Sequence, residues 1–353
     1  MLLLDLKERR WILVSENRVY EIAILGKVTW DLHSLSNEGT VGNVTEPRTV
    51  VLADGTKTDG VSGEMLKHVH AVKMWELESN KNKLCEACSQ LKPERADGVK
   101  VVRKQSKPED AVKEAINCIL CDIHGFLVQK PTVSRSSLVE FGWAVGVPNK
   151  MQRDIHVHAR HSVHEAYLPI DEERNTGDWG GNTCSDSACT TAESDSKLYR
   201  IKRKWYCEEH LPVRTPQMVY HRPTRSGTYA IISLFQPWRI GLNNVSLDYQ
   251  MDENERQYRY QLALKAYQAM FMRTDGAMTT TRLPHTQSFE GAIVVSRVNF
   301  PAPVISPLKE DYINELEKIV SGSDGVEVRK FNSISEFVDE INILAEEGVY
   351  TIT

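Results

Sequence analysis

The chain has 353 residues, 41% of them hydrophobic and 26% charged, and a formal net charge of −5. This is the make-up of an ordinary globular protein of one large or two smaller domains, not of a low-complexity chain. No apolar run approaches the length of about 18 residues that a membrane-spanning helix needs.

The charge is uneven. Residues 306–353 carry eleven acidic and four basic side chains, a net −7, which leaves +2 for the rest. Lys197–Arg225 holds eight Lys/Arg against Glu208 and Glu209, a net +6. Such asymmetry fits a nucleic-acid groove with an acidic outer face, but charge alone favours a solvated hairpin face. The start, "MLLLDLKERRW", is too short and too charged for a secretory segment. The expectation is a cytoplasmic protein with no membrane partner, in which thiols stay reduced and paired cysteines point to metal.

In chain order, 18–33 is rich in β-branched and aromatic residues and predicts a strand. A glycine-rich polar loop follows. "TVVLADGTKTDGV" predicts a hairpin turning at Asp54-Gly55. Ser62-Gly63 opens a helix through "GEMLKHVHAVKMWELE". Residues 79–115 are polar and lysine-rich and predict an insertion. "SSLVEFGWAVGV" and "RDIHVHARHSV" predict strands, and 171–196 a long loop. "QMVYH" and "GTYAIISLFQP" predict two strands flanking Arg222–Ser226. Asp252–Met272 predicts the clearest helix, with Tyr258, Leu262, Ala266 and Met270 on one face. "GAIVVSRV" predicts a strand. Ser306-Pro307 predicts a helix start, and Ser333 with Glu336 a capping box for a last helix that Gly348 ends. Strands outnumber helices without alternating regularly, which predicts an α+β fold on an antiparallel sheet.

Two cysteine groups carry metal chemistry. Cys85, Cys88, Cys118 and Cys121 form two CxxC knuckles 29 residues apart. They can offer four thiolates to one Zn²⁺, a closed and therefore structural site, with His124 an alternative ligand. The competing readings are buried unligated cysteines and a redox CxxC, and the latter lacks its βαβ context. Cys184, Cys189, Cys207 and His210 would form a second structural zinc site.

"HVHARH", with His156, His158 and His161, resembles the HxHxDH motif of metallo-β-lactamase hydrolases. Arg160 stands where that motif has aspartate, and a guanidinium repels a metal. A zinc-dependent hydrolase or nuclease built on these histidines is the alternative function.

The stretch "GKVTWDLHSLSNEGTVGNVTEPRTVVLADGTKTDGVSGEMLKHVH" resembles the start of the DevR-type CRISPR-associated proteins. "RSSLVEFGWAVGV" and a long helix ending "MFMRTDGAMTTTRLPH" follow in the family's order, so the resemblance covers most of 20–305. It implies a non-catalytic backbone subunit of type I Cascade that binds crRNA and acts in antiviral defence. It also implies a modified RRM-like (ferredoxin-like) palm with inserted lobes and a thumb hairpin. The partners it implies are crRNA, the target DNA strand paired to it, copies of the subunit and other Cascade subunits. The palm would take 18–78 and 127–305, a knuckle-bearing lobe 79–126, the thumb region 171–230, and an acidic segment 306–353.

Such a subunit holds RNA by phosphate and sugar, not by sequence. Gly39, Gly42 and Asn43 can bring backbone N–H groups close to a phosphate beside Arg48. Ser62 and Gly63 at a helix start offer free N–H donors, with Lys67 and His68 one turn in. Arg135, the basic strand with Lys150, Arg153 and Arg160, and Arg282 complete the candidate set. DNA-binding autoregulation, suggested by the family's developmental-regulator name, has no helix-turn-helix to support it.

Overall fold

The computed structural model describes residues 2–5, 10–13, 18–161, 166–214 and 217–352. The chain divides into two compact units. One takes Met1–Gly39, Glu46–Asp154 and Pro223–Thr353, and the other Thr40–Thr45 and Ile155–Arg222.

The first unit is built on a sheet. Its strands are β1 (Glu21–His33), β2 (Thr49–Val51), β3 (Lys57–Val61), β4 (Val139–Phe141), β5 (Ala144–His161) up to Asp154, β6 (Gln217–Phe235) from Pro223, β7 (His285–Ser296) and β8 (Val326–Phe331). Neighbours run β8-β7-β1-β6-β5-β3-β2, with β4 also paired to β6. The registers of β6 and β7 on β1, of β8 on β7 and of β4 on β6 are antiparallel. The helices are α1 (Gly63–Leu77), α2 (Pro108–Ile116), α3 (Ile119–His124), α4 (Glu253–Met272), α5 (Tyr312–Val320) and α6 (Ile334–Glu346). The chain thus runs β1-α1-β4-β6-α4-β7, while the sheet order of those strands is β7-β1-β6-β4. The fold is mixed α/β with an antiparallel sheet.

Burial on both faces explains the apolar runs of β1 and β7. Ile22, Ile24, Val28 and Trp30 pack in the core that also takes residues of α1, α4 and α6. Ala23 and Leu25 pack with Tyr312, Leu316 and Val320 of α5. Gly26 and Gly291 sit opposite each other. A Cβ on Gly26 would come within 2.7 Å of the Glu290 carbonyl and 2.9 Å of the Phe289 ring. Side-chain caps start three helices: Ser62 Oγ accepts from Met65 N–H, Asp252 from Glu255 N–H, and Ser333 from Glu336 N–H.

Residues 79–125 are more integrated than their polarity suggests. Ala96, Val102, Ala111, Val112, Ala115, Ile116 and Ile119 are buried in the same core as the sheet. The lysines take the outer face and small apolar residues the inner one. The two strands expected around Arg222–Ser226 are one strand, β6, with an irregularity between Arg225 and Gly227. Ser306-Pro307 does not start a helix. α5 begins at Tyr312, and Ser306 Oγ instead accepts from Leu308 N–H within a turn.

The lobe is tied down through one buried carboxylate. Asp122 in α3 is fully buried. It accepts from Arg135 Nη2 at 2.6 Å, from Arg259 Nη1 of α4 at 2.9 Å, and from Gly241 N–H at 3.1 Å. Both guanidiniums are buried, and both also donate to backbone carbonyls. Removing the shared anion strands two buried cations. Asp122→Ala should therefore lower unfolding free energy by about 3–5 kcal/mol, read as a fall in the urea midpoint. An unchanged midpoint would show that the guanidiniums find water instead.

The second unit contains a three-stranded antiparallel sheet of Glu172–Arg174, Leu198–Ile201 and Lys204–Cys207. Among the described residues, its buried cluster is Trp179, Leu198 and Cys207.

Candidate nucleic-acid interface and metal centres

The first knuckle pair is built by two short helical turns. Cys85 caps a helix of Glu86–Ser89, and its Sγ accepts from Cys88 N–H at 3.4 Å. Cys118 stands at the N-cap of α3, which carries Cys121. The Sγ atoms of Cys88 and Cys121 are 3.6 Å apart, those of Cys85 and Cys121 3.9 Å, and all four lie within 4.8 Å of one another. None is in a disulfide. A Zn–S bond of about 2.3 Å in a tetrahedron sets sulfur–sulfur edges of about 3.8 Å, so the donors fit a metal. His124 is not among them. Its Nε2 is 3.1 Å from Nδ1 of His70, whose Nε2 donates to the Ala263 carbonyl.

In the second unit Cys184, Cys189, Cys207 and His210 also converge within 4.8 Å. Cys189 and Cys207 sulfurs are 3.5 Å apart, and Cys207 Sγ is 3.0 Å from His210 Nδ1. The buried cluster of this unit is small among the described residues, and a closed metal site would cross-link the segments around it. Both clusters can hold a metal.

The candidate RNA residues fall into three groups. Gly39, Gly42 and Asn43 are exposed, and a Cβ on either glycine would meet nothing within 4 Å. Gly42 has φ +61. Asn43 Nδ2 donates to the Val219 carbonyl. Arg48 pairs with Glu38 at 3.1 Å and lies 5.8 Å from the Trp143 ring centroid. Lys150 and His68 are exposed and Lys67 is half-buried. Burial, and then the Arg95 charge, lower the Lys67 pKa.

A second group is committed elsewhere. Arg153 pairs with buried Asp59 at 2.9 Å, and Arg282 Nε donates to Thr224 Oγ1. Arg135 is 3% exposed and holds Asp122, so it is a core cation and not an RNA contact. Ser62 and Gly63 are buried as well. A Cβ on Gly63 would sit 2.3 Å from the Phe141 carbonyl, so this glycine serves the approach of β4, and the helix start is closed to a ligand. The third group is the histidine strand. His158 stacks on Tyr220 at 5.5 Å and 8°. Neither His156 nor His158 joins a metal cluster among the described residues. The side chains of Arg160 and His161 lie outside the described residues.

Sequence reasoning missed two features. Trp143 is 40% exposed beside Arg48, a flat face of the kind on which bases stack, although its strand context suggests a core residue. Arg225 is fully buried, and its guanidinium donates to the Ser36 and Arg48 carbonyls, clamping the base of the glycine loop. His33 is buried nearby. Burial, with the Arg225 charge, pushes its pKa from 6.5 down to about 3. Because the folded value is the lower one, His33 contributes stability above pH 6.5 that is lost as pH falls towards 3. The urea midpoint should drop across that window, and His33→Gln should flatten the drop.

A family profile described as "CRISPR-associated negative auto-regulator DevR/Csa2" matches residues 24–182 and 207–317. A protein of Methanocaldococcus jannaschii named CRISPR-associated protein Cas7/Cst2/DevR is 23% identical over 348 residues, covering 92% of this chain and 97% of that protein. Among solved structures, a chain of a "CRISPR RNA-guided surveillance complex, pre-nicking" is 11% identical with a TM-score of 0.45, covering 92% of this chain and 99% of that one. Csc2 of Thermofilum pendens is 9% identical with a TM-score of 0.35, covering 94% of this chain and 87% of that one. The profile spans most of the chain, in the two stretches where the ordered motifs lie, and on that ground the protein belongs to the DevR/Csa2 family of CRISPR-associated proteins.

Proposed function

We propose that the protein is the non-catalytic, crRNA-binding backbone subunit of a type I CRISPR effector. The family match along the palm carries this reading. The interleaved order β7-β1-β6-β4 supports an RRM-like palm over 18–78 and 127–305. The exposed Gly39, Gly42, Asn43, His68 and Lys150, with the half-buried Arg48 and Lys67, hold the guide by its backbone, and Trp143 offers a stacking face. Residues 171–230 form the thumb region, 79–126 the knuckle lobe and 306–353 an acidic segment. Copies of the subunit line the guide, the paired DNA strand supplies the target, and other Cascade subunits close the ends. The hydrolase reading lacks a carboxylate ligand, since Arg160 occupies that place in "HVHARH".

Single-stranded RNAs of unrelated sequence should bind with a steep salt dependence. Arg48→Ala and Lys150→Ala should each weaken all of them, roughly 3–10-fold, and each should reduce the log–log salt slope by about 1. Loss confined to particular sequences would mark a base reader and sink the backbone-grip reading.

Both cysteine clusters hold structural Zn²⁺ in this proposal. Elemental analysis should find two zinc ions per chain. Cys88→Ser and Cys207→Ser should each remove one, and His156→Ala with His158→Ala should remove none. Zinc lost with those histidines would restore the hydrolase.

A further inference from the structure

We propose that the cleft between α1 and the first cysteine knuckle binds a phosphodiester group of single-stranded nucleic acid through His68, Lys92 and Arg95. This rests on the RNA-binding reading above and adds a grip that the knuckle lobe itself supplies.

The cleft has a volume of about 290 Å³ and is lined by His68, Ala71, Cys88, Leu91, Lys92 and Arg95, together with Pro93 and Leu120. Three of these side chains are cationic or can become so, and no carboxylate lines the cleft. Lys67 stands next to His68, half-buried, with its charged form disfavoured by burial and by Arg95, and only partly favoured by Glu140. Like charges gathered at a concave, partly desolvated surface repel one another, and an anion there relieves the repulsion. Arg95 Nη1 donates to the Gly125 carbonyl at 3.1 Å, which fixes the guanidinium at the cleft wall. Lys92 is exposed, and among the described residues no carboxylate pairs with it.

The backbone points the same way. Leu91 has φ 53 and Arg95 φ 48, two non-glycine residues in the left-handed region on either side of Lys92. Such conformations cost energy and recur where a loop is shaped for a ligand. Cys88 lines the same cleft, so the knuckle that shapes this loop also forms one wall of the site.

On the other side of His68 lies a groove of about 480 Å³, lined by Met65, Val69, Val72, Gly276 and Ala277. Its one acidic lining residue, Asp275, is engaged by Lys73 at 2.6 Å. A nucleotide whose phosphate fills the cationic cleft has this apolar groove beside it for sugar and base. An isolated inorganic anion would have no use for it.

The test uses the full chain and a labelled oligouridine RNA, with binding followed by anisotropy across a salt series. Lys92→Glu should weaken binding roughly tenfold and lower the log–log salt slope by about 1, and Lys92→Arg should restore both. Melting temperature and zinc content should not move, since Lys92 is exposed. In a second arm, RNA-loaded protein captures complementary DNA. If Lys92→Glu spares RNA binding but weakens capture, the phosphodiester is that of the DNA strand, and the site stands with that occupant. If neither arm changes while Arg48→Ala still weakens RNA binding, the cleft is no phosphodiester site and the RNA-binding reading survives. If the unsubstituted protein binds no RNA, both fall.

Discussion

A carboxylate cannot be buried without counter-charge, and Asp122 answers that constraint for much of the molecule. Its two guanidiniums come from Arg135, 13 residues away, and Arg259, 137 residues away. Each is itself buried and needs more acceptors than one carboxylate can offer. Arg259 therefore donates to the carbonyls of Ile116 and Asn117 at the end of α2, which the helix leaves unpaired. Arg135 donates to the carbonyls of Asp122, Arg239 and Leu242. One anion thus fixes where α3 sits on α4. Because Cys118 and Cys121 stand at the start of α3, it also fixes where the knuckle and its cleft lie along α1.

Cations in this protein divide between two tasks that composition does not distinguish. Arg135, Arg225, Arg256 and Arg259 are almost wholly buried and organise carbonyls and carboxylates. Lys92 and Lys150 are exposed. The net +6 of Lys197–Arg225 is compatible with a nucleic-acid face, though by charge alone a solvated face is the better reading. Yet Lys197 pairs with Glu173, Arg200 with Glu172, and Arg225 is in the core. Two of those eight cations are answered by acidic residues at 172 and 173, outside the window in which the charge was counted. A local charge run says little until its strand partners are known.

The readable parts of the sequence were those governed by short-range rules. Capping residues marked the starts of α1 and α6, because a cap is a contact over three residues, and apolar periodicity marked α4. The cysteines declared themselves by spacing, since each knuckle is a single turn of chain. The fold class and family order were also legible. What stayed hidden depends on distant partners. Ser62-Gly63 has the local form of an anion-binding helix start, and only the Phe141 carbonyl across the gap shows why glycine is required. Arg135 is chemically indistinguishable from a surface arginine until Asp122 is placed beside it. The cleft at His68 joins residues 68, 92 and 95 on separate elements, with no spacing to announce it.

The 137 residues between Asp122 and Arg259 also have a meaning in time. At synthesis rates of about 5–20 residues per second, Arg259 follows Asp122 by roughly 7–27 s. During that interval the nascent lobe has Arg135 but neither its second guanidinium nor the helix it docks on. The four thiols, by contrast, are all translated by Cys121. Metal capture can therefore close the lobe first and hold it in shape while the chain that completes its footing is still being made.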